Sequence, residues 1–165
     1  MILITGGIKS GKSTFALNKA LEYTKRAFLA TGVPFDDEMK ARIQKHKEER
    51  GSSFDNYEEP LHVVDILEKI DGQYDVILFE CLTTYIGNLY YYELNVMEFI
   101  DKFVDKIASM KSEVIVVTNE VGWGIVPENK LARQYAETLG KTNTKLATIA
   151  DEVYLVVAGI GVRIK

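Results

Sequence analysis

Residues 1–13, MILITGGIKSGKS, decide the fold of this chain. The part from Gly6 to Ser13 fits G-x-x-x-x-G-K-[ST], the phosphate-binding P-loop. Residues 1–5 predict a buried strand and residues 13–23 a helix, which is the context that the motif requires. A strand that turns through glycines into a helix directs backbone N–H groups at a polyphosphate. We expect Lys12 to reach the β- and γ-phosphates and the Ser13 hydroxyl to hold Mg²⁺. The predicted nucleotide-binding residues of this loop are Gly6, Gly7, Ile8, Lys9, Ser10, Gly11, Lys12 and Ser13.

Strand-like and helix-like segments alternate along the chain. Apolar runs rich in Val and Ile, typical of strands buried on both faces of a parallel sheet, occur at 2–5, 27–31, 76–79, 114–118, 153–157 and 162–164. Helical patterns occur at 13–23, 37–50, 63–70, 97–110 and 129–150. The alternation predicts an α/β fold with a mostly parallel sheet flanked by helices. The last two strands, joined by a tight turn at 158–161, are expected to form a C-terminal antiparallel hairpin.

Length and composition predict one domain spanning residues 1–165, with a full hydrophobic core. The chain has 165 residues, 47% of them hydrophobic, and no composition break divides it. A net charge of −4 argues against a general nucleic-acid binder. The single cysteine, Cys81, suits a reducing cytoplasm. The short apolar run at the start predicts a strand and no signal peptide, and no run reaches the ~18 residues of a membrane span.

A second phosphate-site candidate closes a buried strand. Residues 75–80, DVILFE, are typical of a Walker B strand, whose terminal acid lies beside the P-loop and holds Mg²⁺ or its waters. Glu80 is that candidate, so Ser13 and Glu80 are the predicted metal ligands. Asp75, at the opposite end of the strand, is expected to be solvated. The alternative for Glu80 is an ordinary acid at a strand end.

Three side chains share one face of the helix predicted at 37–50. Arg42, His46 and Arg50 are spaced i, i+4 and i+8. Two guanidiniums favour the neutral, nucleophilic imidazole between them and are suited to clamp a phosphate, so that His46 could attack phosphorus. From spacing alone, a solvated charged helix with an incidental histidine is the commoner explanation. The other histidine, His62, is expected at an exposed helix start.

The segment after the strand at 114–118 is polar and then rich in glycine. Asn119 and Glu120 are expected to face the nucleotide or its acceptor. Trp123, between Gly122 and Gly124, indicates either a loop that approaches a ligand or a structural turn with the indole packed on the core.

Taken together, these motifs resemble the bifunctional adenosylcobinamide kinase / adenosylcobinamide-phosphate guanylyltransferase family of cobalamin biosynthesis. The resemblance spans essentially the whole chain. Its stretches are ITGGIKSGKS, ATGVPFDDEMKARIQKHKEER, LFECLTTYIGNL, VTNEVGWGIVPENKLARQYAETLGKTNTKLA and ADEVYLVVAGIGVRIK. One departure is Lys9, where the family usually carries Arg; lysine keeps the charge and loses the bidentate geometry.

The resemblance implies two reactions and a RecA-like P-loop fold. The first transfers a phosphoryl group from ATP or GTP to adenosylcobinamide. The second transfers GMP from GTP to adenosylcobinamide phosphate through a GMP–histidine intermediate, and the family histidine falls on His46. The resemblance also implies a homotrimer with active sites between subunits. Lys12 and His46 are therefore the predicted catalytic residues. The general base of the kinase step is left open, with Glu80 and Glu120 as candidates. The further nucleotide-binding residues expected are Thr31, Gly32, Val33, Lys47, Glu48, Glu49, Arg50, Glu58 and Glu80.

Three other functions compete with this prediction. The nearest is another small-molecule P-loop kinase in which His46 is incidental. A GTP-dependent switch is disfavoured because the N-K-x-D and D-x-x-G segments are missing from the strand ends. An ATPase for strand exchange or transport is disfavoured by the acidic net charge and the lack of a basic stretch.

Overall fold

A computed structural model describes residues 1–33 and 51–165 and, between them, Asp37, Lys40, Ala41 and Gln44. Its strands are β1 (Ile2–Gly6), β2 (Arg26–Ala30), β3 (Asp55–Glu58), β4 (Val76–Glu80), β5 (Glu113–Val117), β6 (Glu152–Val157) and β7 (Ile160–Arg163). Its helices, numbered within the described part, are α1 (Lys12–Ala20), α2 (Val63–Ile70), α3 (Leu82–Tyr91), α4 (Val96–Ser109) and α5 (Lys130–Ile149).

The strands form one sheet in the order β3-β2-β4-β5-β1-β6-β7. All neighbours are parallel except β6 and β7, which pair antiparallel. The predicted α/β class, the mostly parallel sheet and the C-terminal antiparallel pair are therefore confirmed. The β1 strand that leads into the P-loop lies next to β5, and β5 lies next to β4. The carboxyl ends of these three strands therefore meet at one edge.

Successive residues of the central strands point to opposite faces of the sheet, and each face has its own core. On one face Leu3, Phe79 and Val116 pack with α2, α3, α4 and α5. On the other, Ile4 and Leu78 pack with α1. Because side chains alternate between two covered faces, every position in these strands is buried. The central strands therefore have continuous apolar sequences.

Two elements differ from expectation. Strand β3 was not predicted because its sequence, DNYE, is polar and lies mostly exposed at the sheet edge, where pairing with β2 through the backbone suffices. Helix α3 was also not predicted, although its buried apolar residues Leu82, Tyr85, Ile86 and Leu89 follow the i, i+3, i+4, i+7 period of a helix. Cys81 caps α3, its sulfur accepting a hydrogen bond from the Thr84 N–H at 3.4 Å.

The hairpin turn is shorter than predicted. Ala158 and Gly159 alone form it, both with positive φ (51° and 82°), and Val157 already pairs with Ile160. Positive φ at both central residues is the pattern of a type I′ turn, which suits the twist of the flanking strands. The strand predicted at 162–164 therefore begins at Ile160.

Most of the helix predicted at 37–50 lies outside the described residues. The four described positions there, Asp37, Lys40, Ala41 and Gln44, are helical. Arg42, His46, Lys47, Glu48, Glu49 and Arg50 are not among them.

Candidate functional site

The P-loop is built by the predicted strand–loop–helix unit. Strand β1 ends at Gly6, whose φ of 152° and approach to the Val156 carbonyl exclude a side chain: a Cβ there would lie 2.3 Å from that oxygen. Gly11 precedes α1 with a φ of 94° and faces the Gly159 backbone at a distance that also excludes a Cβ. These two glycines let the loop turn tightly and the hairpin turn pack directly against it.

Lys12 is buried at the start of α1, with 9% of its surface exposed. Its ammonium donates to the Gly7 carbonyl and to Asn119 Oδ1, both at 2.7 Å. A buried ammonium needs such acceptors, and these two hold it across the mouth of the loop. The charge is therefore already in place for an incoming phosphate.

Ser13 and Glu80 come together as predicted. The Ser13 hydroxyl donates to Glu80 Oε1, and Glu80 Oε2 is buried with no hydrogen-bond partner within the described part of the chain. A hydroxyl and a carboxylate with a spare buried oxygen are the hard oxygen donors that Mg²⁺ takes beside substrate phosphates. The pair therefore fits the predicted metal. In residues 1–33 and 51–165, no cluster of three or more His, Cys, Asp or Glu offers a competing site.

The residues after β5 also reach the P-loop. Glu120 Oε1 accepts a hydrogen bond from the Thr5 hydroxyl at 2.7 Å, and the Glu120 N–H donates to the Gly6 carbonyl at 3.1 Å. Asn119 accepts a hydrogen bond from Lys12. Asn119 and Glu120 therefore both lie at the phosphate site, as predicted from their place after a buried strand. Trp123 is 68% exposed, so the alternative of an indole packed on the core is wrong.

Two residues that contact this edge were missed. Thr5 ends the apolar run of β1, and Asn143 lies within α5, where its side-chain amide donates to the Asn119 carbonyl at 3.0 Å and to Glu120 Oε1 at 3.2 Å. A signal for Asn143 was present. It lies between Leu139 and Leu146 on the buried face of α5, where the helical period calls for an apolar residue.

Among the further residues predicted to bind nucleotide, Thr31 is held by hydrogen bonds within the fold. Thr31 is fully buried; its hydroxyl contacts the Cys81 backbone, and its carbonyl accepts from the Asn88 amide at 2.8 Å. Gly32 is exposed and Val33 half-buried beside it. Glu58 is exposed at the end of β3, in register with Ala30. Nucleotide contacts of these residues stay predictions.

Cys81 carries no signs of a reactive thiol. Burial, with the neighbouring Glu80 carboxylate, raises the pKa of the Cys81 thiol above its usual range. The thiol therefore stays protonated and serves as the cap of α3. His62 lies exposed before α2 and Asp75 lies exposed before β4, as predicted.

The other loop residues differ in exposure. Ile8 and Lys9 are exposed, and Lys9 has a φ of 57°. Ser10 Oγ is buried without a hydrogen-bond partner among the residues described. A buried hydroxyl needs such a partner, and a bound phosphate would supply one.

A strand, a glycine-rich loop closing on a lysine, and a Ser–Glu pair at the same sheet edge define a P-loop nucleotide-binding protein. The family model described as cobinamide kinase / cobinamide phosphate guanyltransferase matches residues 2–164. The chain belongs to this family, as the resemblance predicted.

Curated relatives align over almost their whole length. Bifunctional adenosylcobalamin biosynthesis proteins named CobU from Salmonella typhimurium and Escherichia coli are 41% and 37% identical, each alignment covering 100% of this chain and 99% of the relative. A protein named CobP from Pseudomonas aeruginosa is 30% identical, over 99% of this chain and 96% of its own length. Among solved structures, a KaiC-like protein from Pyrococcus horikoshii has a TM-score of 0.49 at 15% identity, covering 93% of this chain and 70% of that one.

Proposed function

We propose that the protein phosphorylates adenosylcobinamide with ATP or GTP and then transfers GMP from GTP to the resulting phosphate. The observation that carries the proposal is the preformed phosphate site, Lys12 with the Ser13–Glu80 pair, in a chain that matches the family over residues 2–164. Both steps cleave a phosphoanhydride bond of a nucleoside triphosphate. Both therefore use the same triphosphate-binding site in this proposal.

In the kinase step, the substrate hydroxyl attacks the γ-phosphorus of the nucleotide. The bond from that phosphorus to the β–γ bridging oxygen breaks, and the nucleoside diphosphate leaves. The backbone N–H groups of the loop and Lys12 hold the phosphates in line and offset the charge that builds on the leaving oxygen. The hydroxyl proton goes to a carboxylate at the same edge, Glu80 or Glu120.

Ser13 and Glu80 are the residues proposed to hold Mg²⁺ with the nucleotide. Bound there, the metal neutralises phosphate charge and orients the triphosphate. Glu80 Oε2, buried without a partner in the described part, supports this assignment.

In the guanylyl step, His46 is the proposed nucleophile. Its neutral imidazole nitrogen attacks the α-phosphorus of GTP, and the bond to the α–β bridging oxygen breaks to release pyrophosphate. A phosphate oxygen of adenosylcobinamide phosphate then displaces the imidazole and gives adenosylcobinamide-GDP. Because His46 lies outside the described residues, this role is supported by family membership and by the sequence around it.

An isotope experiment tests the covalent step. The protein is incubated with Mg²⁺ and GTP labelled at the α-phosphorus, in parallel with γ-labelled GTP and with His46→Ala. We expect acid-labile, alkali-stable α-label on the wild type alone, with kinase activity retained in His46→Ala. If the wild type takes up no label and still phosphorylates cobinamide, the protein is a simple P-loop kinase and His46 is a residue of a charged helix face. If His46→Ala loses only kinase activity, the assignment is also wrong.

We also propose a single domain over residues 1–165 that assembles as a homotrimer in the cytoplasm. None of the described helices is long and apolar enough to cross a bilayer.

A further inference from the structure

Helix α5 places one buried amide against the phosphate site. Asn143 is 7% exposed and belongs to a helix that contributes no residue to the P-loop itself. We infer that Asn143 is a positioning residue: it acts through Asn119 to hold Lys12 where the phosphates bind. The inference rests on the proposed function for its two reactions, and one of its tests is independent of them.

The amide of Asn143 contacts three consecutive residues after β5. Its Nδ2 donates to the Asn119 carbonyl at 3.0 Å and to Glu120 Oε1 at 3.2 Å. Its Oδ1 accepts from the Thr118 hydroxyl at 2.8 Å. Both the donor and the acceptor of the amide are used. Asn143 therefore holds Asn119 directly and also holds its two sequence neighbours, Thr118 and Glu120.

The contacts continue from Asn119 into the P-loop. Asn119 Oδ1 accepts from Lys12 Nζ at 2.7 Å, while the next residue, Glu120, accepts from the Thr5 hydroxyl. The chain of contacts therefore runs from α5 through Asn119 to the lysine ammonium. Each link is a hydrogen bond within a largely buried region, where displacement of one member leaves the others unsatisfied.

An apolar side chain would fill the position of Asn143 at lower cost, since it lies on the buried face of α5 between Leu139 and Leu146. A buried amide needs its hydrogen bonds to offset desolvation, and all of those bonds go to the end of β5. A catalytic group has to be held in position to within a fraction of an ångström. Hydrogen bonds to the residues that contact it supply that rigidity.

The main comparison is Asn143→Ala against Thr142→Ala. Thr142 is the preceding residue, 1% exposed, and its hydroxyl donates within the helix to the Thr138 carbonyl at 2.8 Å. Both variants remove a buried polar side chain, and only one removes contacts to the site. We expect Asn143→Ala to lower kcat of both reactions about 10- to 100-fold with nucleotide Kd changed less than about threefold, and Thr142→Ala to retain kcat. Equal losses in the two variants would show that α5 packing is responsible.

A double-mutant cycle tests the route through Asn119. If Asn143 acts through Asn119, the Asn119→Ala variant already contains most of the loss, and adding Asn143→Ala changes kcat little. Multiplicative losses would overturn the inference. Asn143→Asp serves where Asn143→Ala folds poorly: it keeps the size and the acceptor oxygen, and replaces the donating amide by an oxygen facing Glu120.

A labelling readout does not depend on cobinamide chemistry. A lysine-reactive acyl phosphate of ATP, whose acyl carbon is attacked by a lysine amine with release of ATP, reports how well Lys12 is placed at the phosphates. We expect Asn143→Ala to slow labelling of Lys12, located by mass spectrometry, about tenfold or more, and Thr142→Ala to label like the wild type. Normal labelling of Lys12 in Asn143→Ala would refute the inference. Wild-type labelling without cobinamide turnover would instead refute the proposed function.

Discussion

At the scale of single residues, the phosphate site is organised before any nucleotide binds. Lys12 is held by Gly7 and Asn119, and Ser13 is held by Glu80. Preorganised charges cost no rearrangement at the moment of reaction, which is why phosphoryl transfer relies on them. Substitutions here should therefore change turnover more than folding.

Replacement of Lys12 by Ala is expected to abolish both reactions and leave the fold intact. The side chain supplies the charge that the motif places at the β- and γ-phosphates, and its loss leaves the Gly7 carbonyl and Asn119 accessible to water. Steady-state assays of both reactions, with circular dichroism and thermal unfolding, check this. Lys145→Ala, which removes a lysine from an exposed ion pair with Asp101, is the control for charge. Near-normal turnover of Lys12→Ala would disprove the role.

Replacement of Glu80 by Gln is expected to weaken Mg²⁺ binding, so that both reactions require more Mg²⁺. The amide keeps the size and an acceptor for Ser13, and loses the charge that a divalent cation requires. A Mg²⁺ titration at fixed nucleotide should show half-saturation shifted upward by about tenfold or more. An unchanged titration curve would remove Glu80 from the metal site.

At the scale of elements, the C-terminal hairpin supports the P-loop. The Gly159 N–H donates to the Ser10 carbonyl at 2.8 Å, and Gly161 lies under the ring of Phe15 on α1. That ring also packs on Tyr154 of β6, with centroids 5.2 Å apart. The hairpin therefore packs directly against the P-loop and α1, although the two segments are far apart in sequence.

Gly161→Ala and Gly140→Ala should change stability in opposite directions. A Cβ at Gly161 would lie 2.3 Å from the Phe15 ring, so the ring has to move, at a cost of about 1–3 kcal/mol. A Cβ at Gly140, exposed within α5, meets nothing within 4 Å and should stabilise by roughly 0.5–1 kcal/mol. Urea unfolding measures both. A Gly161→Ala protein as stable as the wild type would show that Phe15 moves freely.

A carboxylate at the end of α2 should make stability depend on pH. Burial alone would raise the pKa of Asp71, but hydrogen bonds from Lys106 and from the N–H groups of Ser112 and Lys111 outweigh it and hold the pKa below its usual value. A lowered folded-state pKa stabilises above the unfolded-state pKa of about 3.9, and the contribution is lost as pH falls through the folded-state value.

The free energy of unfolding of the wild type should therefore exceed that of Asp71→Asn by a constant amount above about pH 5, and the difference should shrink below about pH 4. Urea unfolding at a series of pH values measures it. Asp101→Asn, which removes an exposed carboxylate 56% open to solvent, is expected to change stability less. A difference that grows on acidification would contradict the assignment.

At the scale of the whole molecule, several large apolar side chains in the described part of the chain are exposed. They include Trp123, Ile125 and Val126 in one loop and Ile160 and Val162 in the hairpin. Exposed apolar surface of this kind is covered when a protein associates, and the homotrimer stays a prediction.

Sedimentation equilibrium is expected to give a mass of about 56 kDa, three times the 18.6 kDa chain, and the mass should persist on dilution to micromolar concentration. A mass of one chain at all concentrations would contradict the trimer and the shared active site.

The sequence was most informative where the local pattern and the tertiary role coincide. Residues 6–13 predicted both the turn and a phosphate ligand, since the same glycines that permit the loop conformation expose its N–H groups. The apolar strands predicted the sheet, because burial on both faces leaves a continuous run. Glu80 was predicted from its place at the carboxyl end of such a strand.

Other features depended on contacts between distant segments. Strand β3 is polar and forms only because β2 offers an edge, and the turn at Ala158–Gly159 is read from backbone angles. Asn143 is 24 residues from Asn119 in sequence, and no local spacing links a mid-helix amide to the end of a strand. The sequence by itself determined the chemistry of the phosphate loop, the fold class and the family, because these rest on local patterns and a whole-chain match. Only the tertiary structure decided which distant side chains hold Lys12 and Glu80 in place, because hydrogen bonds across a sheet edge depend on how strands and helices pack.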